Sequence, residues 1–242
     1  SPAIFLGWSN IGFDDEMIRK EFFKGIRYPY ITNASPNKRH DGINIARAAY
    51  AVDTSVLETE INEKNNPVFK LESLSRMQGL DSSDAHSALT DATLTAKILS
   101  IIKKRQPSTW DMFLRTANKL DTETIFKKEE IFSLNEYFYG KSRLYLCAPL
   151  HPKHCIHPVY NWGQCVDIRV DIEPILNMSI NELKVEMKKT PKFLRTIRSN
   201  KAPIILDAEY AMKVEPYNAM DPSLIKKRAK LVRDNEKFSQ NI

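Results

Sequence analysis

Apolar and polar positions divide the chain into two textures. From Trp8 to Arg105 the spacing predicts mainly helices. A short extended lead-in, Asn10-Ile11-Gly12-Phe13, precedes a helix from Asp14, whose opening acids Asp14, Asp15 and Glu16 suit the positive end of a helix dipole. Residues 28–42, with Pro29, Asn33, Ser35, Pro36, Asn37 and Gly42, read as a loop. Ile43 to Val52 is a helix rich in small residues (Ala46, Ala48, Ala49), built for close packing. Asn62 to Pro67 is a polar turn. Phe69 to Met77 is a helix with Leu71 and Leu74 inward, stopped by Gly79. A long helix follows from about His86 to Arg105, ended by Pro107.

Beyond Pro107 the pattern shortens. Leu144 to Ala148, His157 to Tyr160, Cys165 to Val170 and Ile204 to Leu206 read as strands between Pro- and Gly-bearing turns. Ser179 followed by Glu182 is a capping-box signature for a helix through Lys188. Ser223 to Asn235 is a basic helix. The change of texture sets a domain boundary near Gln106 to Asp111, and no internal repeat is present.

Composition narrows the class. With 42% apolar and 27% charged residues among 242, the chain can bury a core. No run of eighteen apolar residues occurs, so a membrane span is not expected. Residues 1–14 lack a basic stretch and cleavage pattern, and three cysteines are too few and odd for a disulfide scaffold. Both point to a soluble, cytoplasmic protein. Seven glycines form no phosphate-cradling loop.

Net charge is +6 and uneven. Residues 1–100 carry 11 Lys and Arg against 13 Asp and Glu; residues 101–242 carry 25 against 17. Surplus carboxylates followed by surplus cations fit metal or acid–base chemistry followed by an anionic partner, although +6 is also ordinary for a soluble protein.

The chemistry concentrates in two stretches, Asn10 to Asp14 and Asp84 to Ala92. Asp91 sits among small and apolar helix residues, where a carboxylate either faces water or needs a compensating cation. If His86 precedes the helix, its imidazole and Asp91 can point at one site, suiting a base that deprotonates water beside a metal. Taken singly, each residue has a plainer reading: His86 near a helix start, Asp91 a solvated side chain, Asp14 an N-cap.

Together they carry a resemblance. His86-x4-Asp91, preceded by Leu71-x2-Leu74 and Gly79-Leu80, resembles the last motif of the DEDDh 3′→5′ exonucleases, and Asn10-x2-Phe13-Asp14 resembles their middle motif. Within that superfamily the flanks are most similar to the exodeoxyribonuclease I family: Gly7 to Glu16, Ala46 to Val52, Pro67 to Asp91, Lys104 to Pro107, and Ala148 to Pro152. The resemblance implies an α/β architecture. Residues 1–106 would be the C-terminal, mostly helical part of an RNase H-like exonuclease domain, and residues 107–242 an SH3-like β-barrel domain with helical insertions, ending in a basic helix. It implies 3′→5′ degradation of single-stranded DNA in repair and recombination, with two Mg2+ per complete site (Mn2+ as a substitute). Asp14 and Asp91 would be metal ligands and His86 the general base.

One motif departs from the family. Its Asp-x-Glu has no counterpart before Trp8, and Asp53, Glu58 and Glu60 fall in the wrong place. The chain therefore reads as a fragment, also without the family's final helical domain, and is expected to be nearly inactive alone. Rival readings are another DEDDh nuclease (RNA trimming or proofreading) and a non-catalytic single-strand-binding module.

For nucleic acid, Lys184, Lys188, Lys189, Lys192, Arg195, Arg198 and Lys201 form one basic cluster, and Lys226, Lys227, Arg228, Lys230 and Arg233 a second. Such clusters bind phosphates by counterion release, or simply form solvated faces. Tyr28 and Tyr30 are candidates for base stacking, whereas the pair Phe22-Phe23 is expected in the core. The resemblance also implies a monomer whose basic residues dock the acidic C-terminal tail of single-stranded-DNA-binding protein. Cys147, His151, His154, Cys155, His157 and Cys165 lack the paired spacing of a zinc site and are not expected to form one.

Overall fold

The computed structural model describes residues 2–81 and 87–242, which form two compact units. Unit 1 comprises Ser1–Asn118 with Asn135–Arg143; unit 2 comprises Lys119–Leu134 with Leu144–Ile242.

Unit 1 begins with strand β1 (Ile4–Gly7), a 3-10 turn (Asn10–Gly12) and helix α1 (Asp14–Lys24). Strand β2 (Lys38–Asp41) lies parallel to β1, with Ile4 opposite Lys38 and Gly7 opposite Asp41. Part of the stretch read as loop is thus a strand. Its sequence, Lys-Arg-His-Asp, has no apolar alternation to announce it, and its pairing with β1 is non-local.

Helix α2 (Gly42–Val52) follows immediately, capped by the Asp41 carboxylate. Gly42 is required here: a Cβ would lie 2.9 Å from Gly7 O and 3.1 Å from the Trp8 ring. Helices α3 (Leu71–Met77) and α4 (Ala88–Arg105) complete the packing. Ala46 and Ala49 of α2 let the long helix approach, and Ile45, Leu74, Leu94, Ile98 and Ile102 are buried between them. The α3 helix ends at Gly79, whose φ of +69° is the left-handed conformation that suits glycine.

Pro107 does not end the helical region. It sits in the first turn of α5 (Pro107–Leu114), where its missing N–H costs nothing. The boundary expected after residue 106 therefore falls inside unit 1, which runs on to Asn118. The helix α6 (Lys119–Lys128) opens unit 2.

A five-stranded sheet in the order β6-β5-β4-β3-β7 organises the rest: β3 (Phe132–Phe138), β4 (Lys141–Pro149), β5 (Trp162–Asp167), β6 (Leu194–Arg198) and β7 (Ile204–Leu206). Strands β4, β5 and β6 pair antiparallel, with Ala148 opposite Val166 and Trp162 opposite Arg198. His157 to Tyr160 is a turn rather than a strand: the His157 imidazole accepts from the N–H groups of Val159 and Tyr160, both at 3.2 Å. β6 falls in the basic cluster, and of its five residues Ile197 alone is fully buried, so no apolar alternation announces it.

Helices α7 (Glu173–Leu176) and α8 (Ile180–Glu186) lie between β5 and β6 in sequence, and α9 (Ala208–Met212), α10 (Pro222–Asp234) and α11 (Glu236–Asn241) follow β7. The capping box of α8 is present, Ser179 and Glu182 bonding each other's backbone. Gly163 faces the Phe126 ring so closely that a Cβ there would overlap it. Among the described residues no helix is long and apolar enough to cross a membrane.

Candidate active site

Asp14 and Asp91 are far apart in sequence, and separate local devices deliver them to one cavity. After β1 the backbone turns at Ser9 (φ 61°), whose N–H donates to Asp41 Oδ1 at 2.8 Å; the same oxygen accepts from Ile43 N–H at 3.2 Å. Asn10 is buried beneath the turn, and with its amide nitrogen facing inward it donates to Gly7 O and His40 O, each at 3.2 Å. Its role is to shape the backbone, and Asp14 then occupies the first position of α1 with its side chain exposed.

Asp91 lies in the first turn of α4. Ser87 caps that helix, its Oγ accepting from Thr90 N–H at 3.2 Å, and the Asp91 N–H donates to Ser87 O at 2.9 Å. Asp14 and Asp91 both line a cavity of about 390 Å³ together with Gly7, Asn10, Ala88 and Thr95. His86, the expected base, lies outside the described residues.

Asp15, next to Asp14, takes a different part. It is buried, and its carboxylate accepts from Arg39 Nη1 at 2.9 Å, so its charge is consumed inside the unit. His40, beside Arg39, is fully buried; burial pulls its imidazole down to about 4, and Nδ1 accepts from the Asp41 N–H at 2.8 Å. Burial also pushes the Asp41 carboxyl up, opposed by the N–H groups it accepts from.

Asp91 also borders a larger groove of about 1060 Å³, lined by Trp8, Arg47, Phe69, Lys70, Arg76 and Tyr137 among others. The Arg47 guanidinium lies 3.7 Å from the centroid of the Tyr137 ring, and Tyr137 meets Phe69 edge to face. Sequence reading missed both residues. Arg47 did carry a signal, as the lone cation in a helix of small and apolar residues; Tyr137 carried none.

The remaining expectations divide. Tyr28 and Tyr30 are exposed, edge to face at 6.0 Å, and Arg19 lies over Tyr30. The pair Phe22-Phe23 is not core: Phe23 is 74% exposed and Phe22 half-buried, because consecutive helix positions point about 100° apart. Lys184, Lys188 and Lys192 are exposed, and Lys189 is exposed but paired with Glu186 at 2.6 Å. Arg198 is exposed over the Trp162 ring. Arg195 corrects the expectation of a solvent-facing cation. Its side chain is 10% exposed, lies 3.3 Å from the centroid of Tyr145 and pairs with the buried Asp167 at 3.3 Å. In a strand, every second residue turns inward, and Arg195 is one of them.

The three cysteines are buried free thiols, and burial pushes the thiols of Cys147 and Cys155 up, away from the thiolate a metal needs.

No family model matches the chain. Exodeoxyribonuclease I of Buchnera aphidicola subsp. Acyrthosiphon pisum is 27% identical over an alignment covering all of this chain and 60% of that protein. The crystal structure of Escherichia coli exonuclease I in complex with a dA16 oligonucleotide superposes with a TM-score of 0.75 at 24% identity, covering 99% of this chain and 53% of that one. A structure of an ExoI/SSB-Ct complex gives 0.72 at 23% identity, covering 98% and 53%. At these identities the structural likeness establishes the fold. This chain is similar in sequence and fold to exodeoxyribonuclease I over its whole length, and it spans about half the length of the relatives it matches.

Proposed function

We propose that the chain is part of a 3′→5′ exonuclease acting on single-stranded DNA. The observation that carries this reading is the meeting of Asp14 and Asp91 at one cavity, at the positions where the family's motifs put metal ligands. Two carboxylates at the mouth of a groove are hard oxygen donors, which fit Mg2+ or Mn2+. Bound there, divalent cations would supply charge neutralisation at the phosphate and an acidified water.

The chain's own residues do the rest. Asp14 and Asp91 would hold the cations, and His86 would act as the base toward water. Arg47, kept in place against Tyr137, offers a cation to a backbone phosphate in the groove that Asp91 borders. Trp8 and Tyr137, both partly exposed, provide ring surfaces for unstacked bases. Unit 1 is read as the RNase H-like part and unit 2 as the SH3-like part, whose exposed Lys184, Lys188, Lys192 and Arg198 track the strand. The same basic surface is a candidate dock for the acidic tail of single-stranded-DNA-binding protein.

With Asp15 paired to Arg39, Asp14 and Asp91 offer too little charge for two cations about 4 Å apart. The 242 residues alone are therefore expected to be nearly inactive, the family's Asp-x-Glu having to come from elsewhere. A 5′-labelled oligonucleotide assay tests this, using the chain alone and the chain joined to a strand bearing Asp-x-Glu. The expected outcome is metal-dependent shortening from the 3′ end only in the joined protein, lost by about 10²–10⁴ in His86→Ala and abolished by chelator. Salt-sensitive binding without cleavage in both proteins would favour a binding module instead. Robust digestion by the chain alone would overturn the expected inactivity.

A further inference from the structure

Two imidazoles and a carboxylate converge in unit 2. After β4, the N–H of His151 donates to Ser239 Oγ at 2.9 Å, and a tight turn follows in which the His154 N–H donates to His151 O at 2.7 Å. That turn sets the two rings 6.1 Å apart on one side of the connection. Glu236 arrives from the other end of the sequence. Asn235 caps α11 by accepting from Phe238 N–H, and the buried Phe238 anchors the helix, so Glu236 at its first position faces both rings.

The Glu236 carboxylate lies 3.5 Å from His154 Nε2 and 3.9 Å from His151 Nε2, and one ligand atom from each of the three lies within 4.8 Å of the others. Tetrahedral zinc with bonds of about 2.0 Å holds its ligand atoms about 3.3 Å apart. Side-chain rotations of about an ångström close the set, because all three side chains are partly or fully exposed.

We propose that His151, His154 and Glu236 form a zinc site, with water completing the tetrahedron, that ties α11 to the β4–β5 connection. Two imidazoles and one carboxylate are a borderline donor set suited to zinc, unlike the hard oxygens of the Asp14–Asp91 cavity. Lys153 is the local competitor: its Nζ lies 3.1 Å from Glu236 Oε1 and 3.3 Å from Oε2, and a bound cation would displace it. The buried cysteines take no part, so the site is built differently from any Cys-His pairing in the sequence.

The test is calorimetric titration of zinc into the 242-residue polypeptide, carrying no histidine tag and saturated with magnesium. The expected result is one zinc per chain with a dissociation constant below about 100 µM. His154→Ala and Glu236→Gln should each weaken binding at least about tenfold, and Lys153→Met should tighten it. Circular dichroism confirms that each variant is folded, and zinc should raise the melting temperature of the parent but not of His154→Ala. Weaker or substoichiometric binding by the parent, or parental affinity in either His154→Ala or Glu236→Gln, overturns the proposal.

Discussion

Arg39 Nη1 lies 2.9 Å from Asp15 Oδ2, with both side chains at most 5% exposed. Two adjacent aspartates that both border the cavity thereby acquire different roles, Asp15 buried and compensating a guanidinium, Asp14 exposed. Removing one partner of a buried pair leaves an uncompensated charge, worth about 3–5 kcal/mol. Asp15→Asn is expected to lower unfolding stability in urea by that order, whereas Asp14→Asn stays within about 0.5 kcal/mol of the parent. Equal losses would refute the division of labour.

The same two variants should separate in metal affinity. Asp14→Asn and Asp91→Asn each remove a cavity carboxylate and are expected to weaken Mn2+ binding, read by electron paramagnetic resonance, by at least about tenfold. Asp15→Asn, where folded, should bind as the parent does.

His40 makes stability depend on acid. Its folded value of about 4 lies below the ordinary 6.5, so between these limits the unfolded chain binds more protons. Stability is therefore full above pH 6.5 and falls as pH drops toward 4, by about 3 kcal/mol in total. Asp41, pushed upward, acts in the opposite sense, its contribution fading as pH rises above the ordinary carboxylate value. Urea unfolding at pH 7, 5.5 and 4.5 should show the loss, and His40→Gln should flatten it. An unchanged slope in that variant would assign the acid sensitivity to other groups.

The basic cluster should split by burial. Changing Lys184, Lys188 and Lys192 together to alanine is expected to reduce the salt slope of single-strand binding by about 2, three phosphate contacts at about 0.7 each. Arg195→Ala should instead destabilise unit 2 by about 1–3 kcal/mol, because Asp167 loses a buried partner. Tyr217 OH, which donates to the same carboxylate at 2.7 Å, remains. Fluorescence anisotropy across a salt series and thermal melts read the two effects.

Gly163→Ala tests the packing beneath β5. The added methyl would overlap the Phe126 ring, and a destabilisation of about 1–3 kcal/mol is expected in a urea melt. A neutral result would mean that the ring moves aside without loss.

Local signals and non-local outcomes separate cleanly in this molecule. The acids opening α1, the alanines of α2, Gly79, the Ser179–Glu182 box and the basic α10 act within a turn or two of themselves, and each element lies where its pattern puts it. Errors arise where a partner distant in sequence decides. Lys38 to Asp41 becomes a strand because β1 lies beside it, and Leu194 to Arg198 because β5 does. Pro107 does follow the end of α4 at Arg105, as its pattern puts it, and it also opens α5, since proline is suited both to a stop and to a first turn.

The candidate site follows the same rule. The sequence by itself determined which residues carry hard oxygen donors, how they are spaced from their helix starts, and which family they resemble, because those properties belong to short stretches of chain. Only the tertiary structure decided that Asp15 rather than Asp14 is buried against Arg39, that Arg195 turns inward to Asp167, and that Glu236 meets His151 and His154. Each of these depends on the direction of a side chain toward a group far along the chain, and that direction is set by packing, which no local pattern encodes.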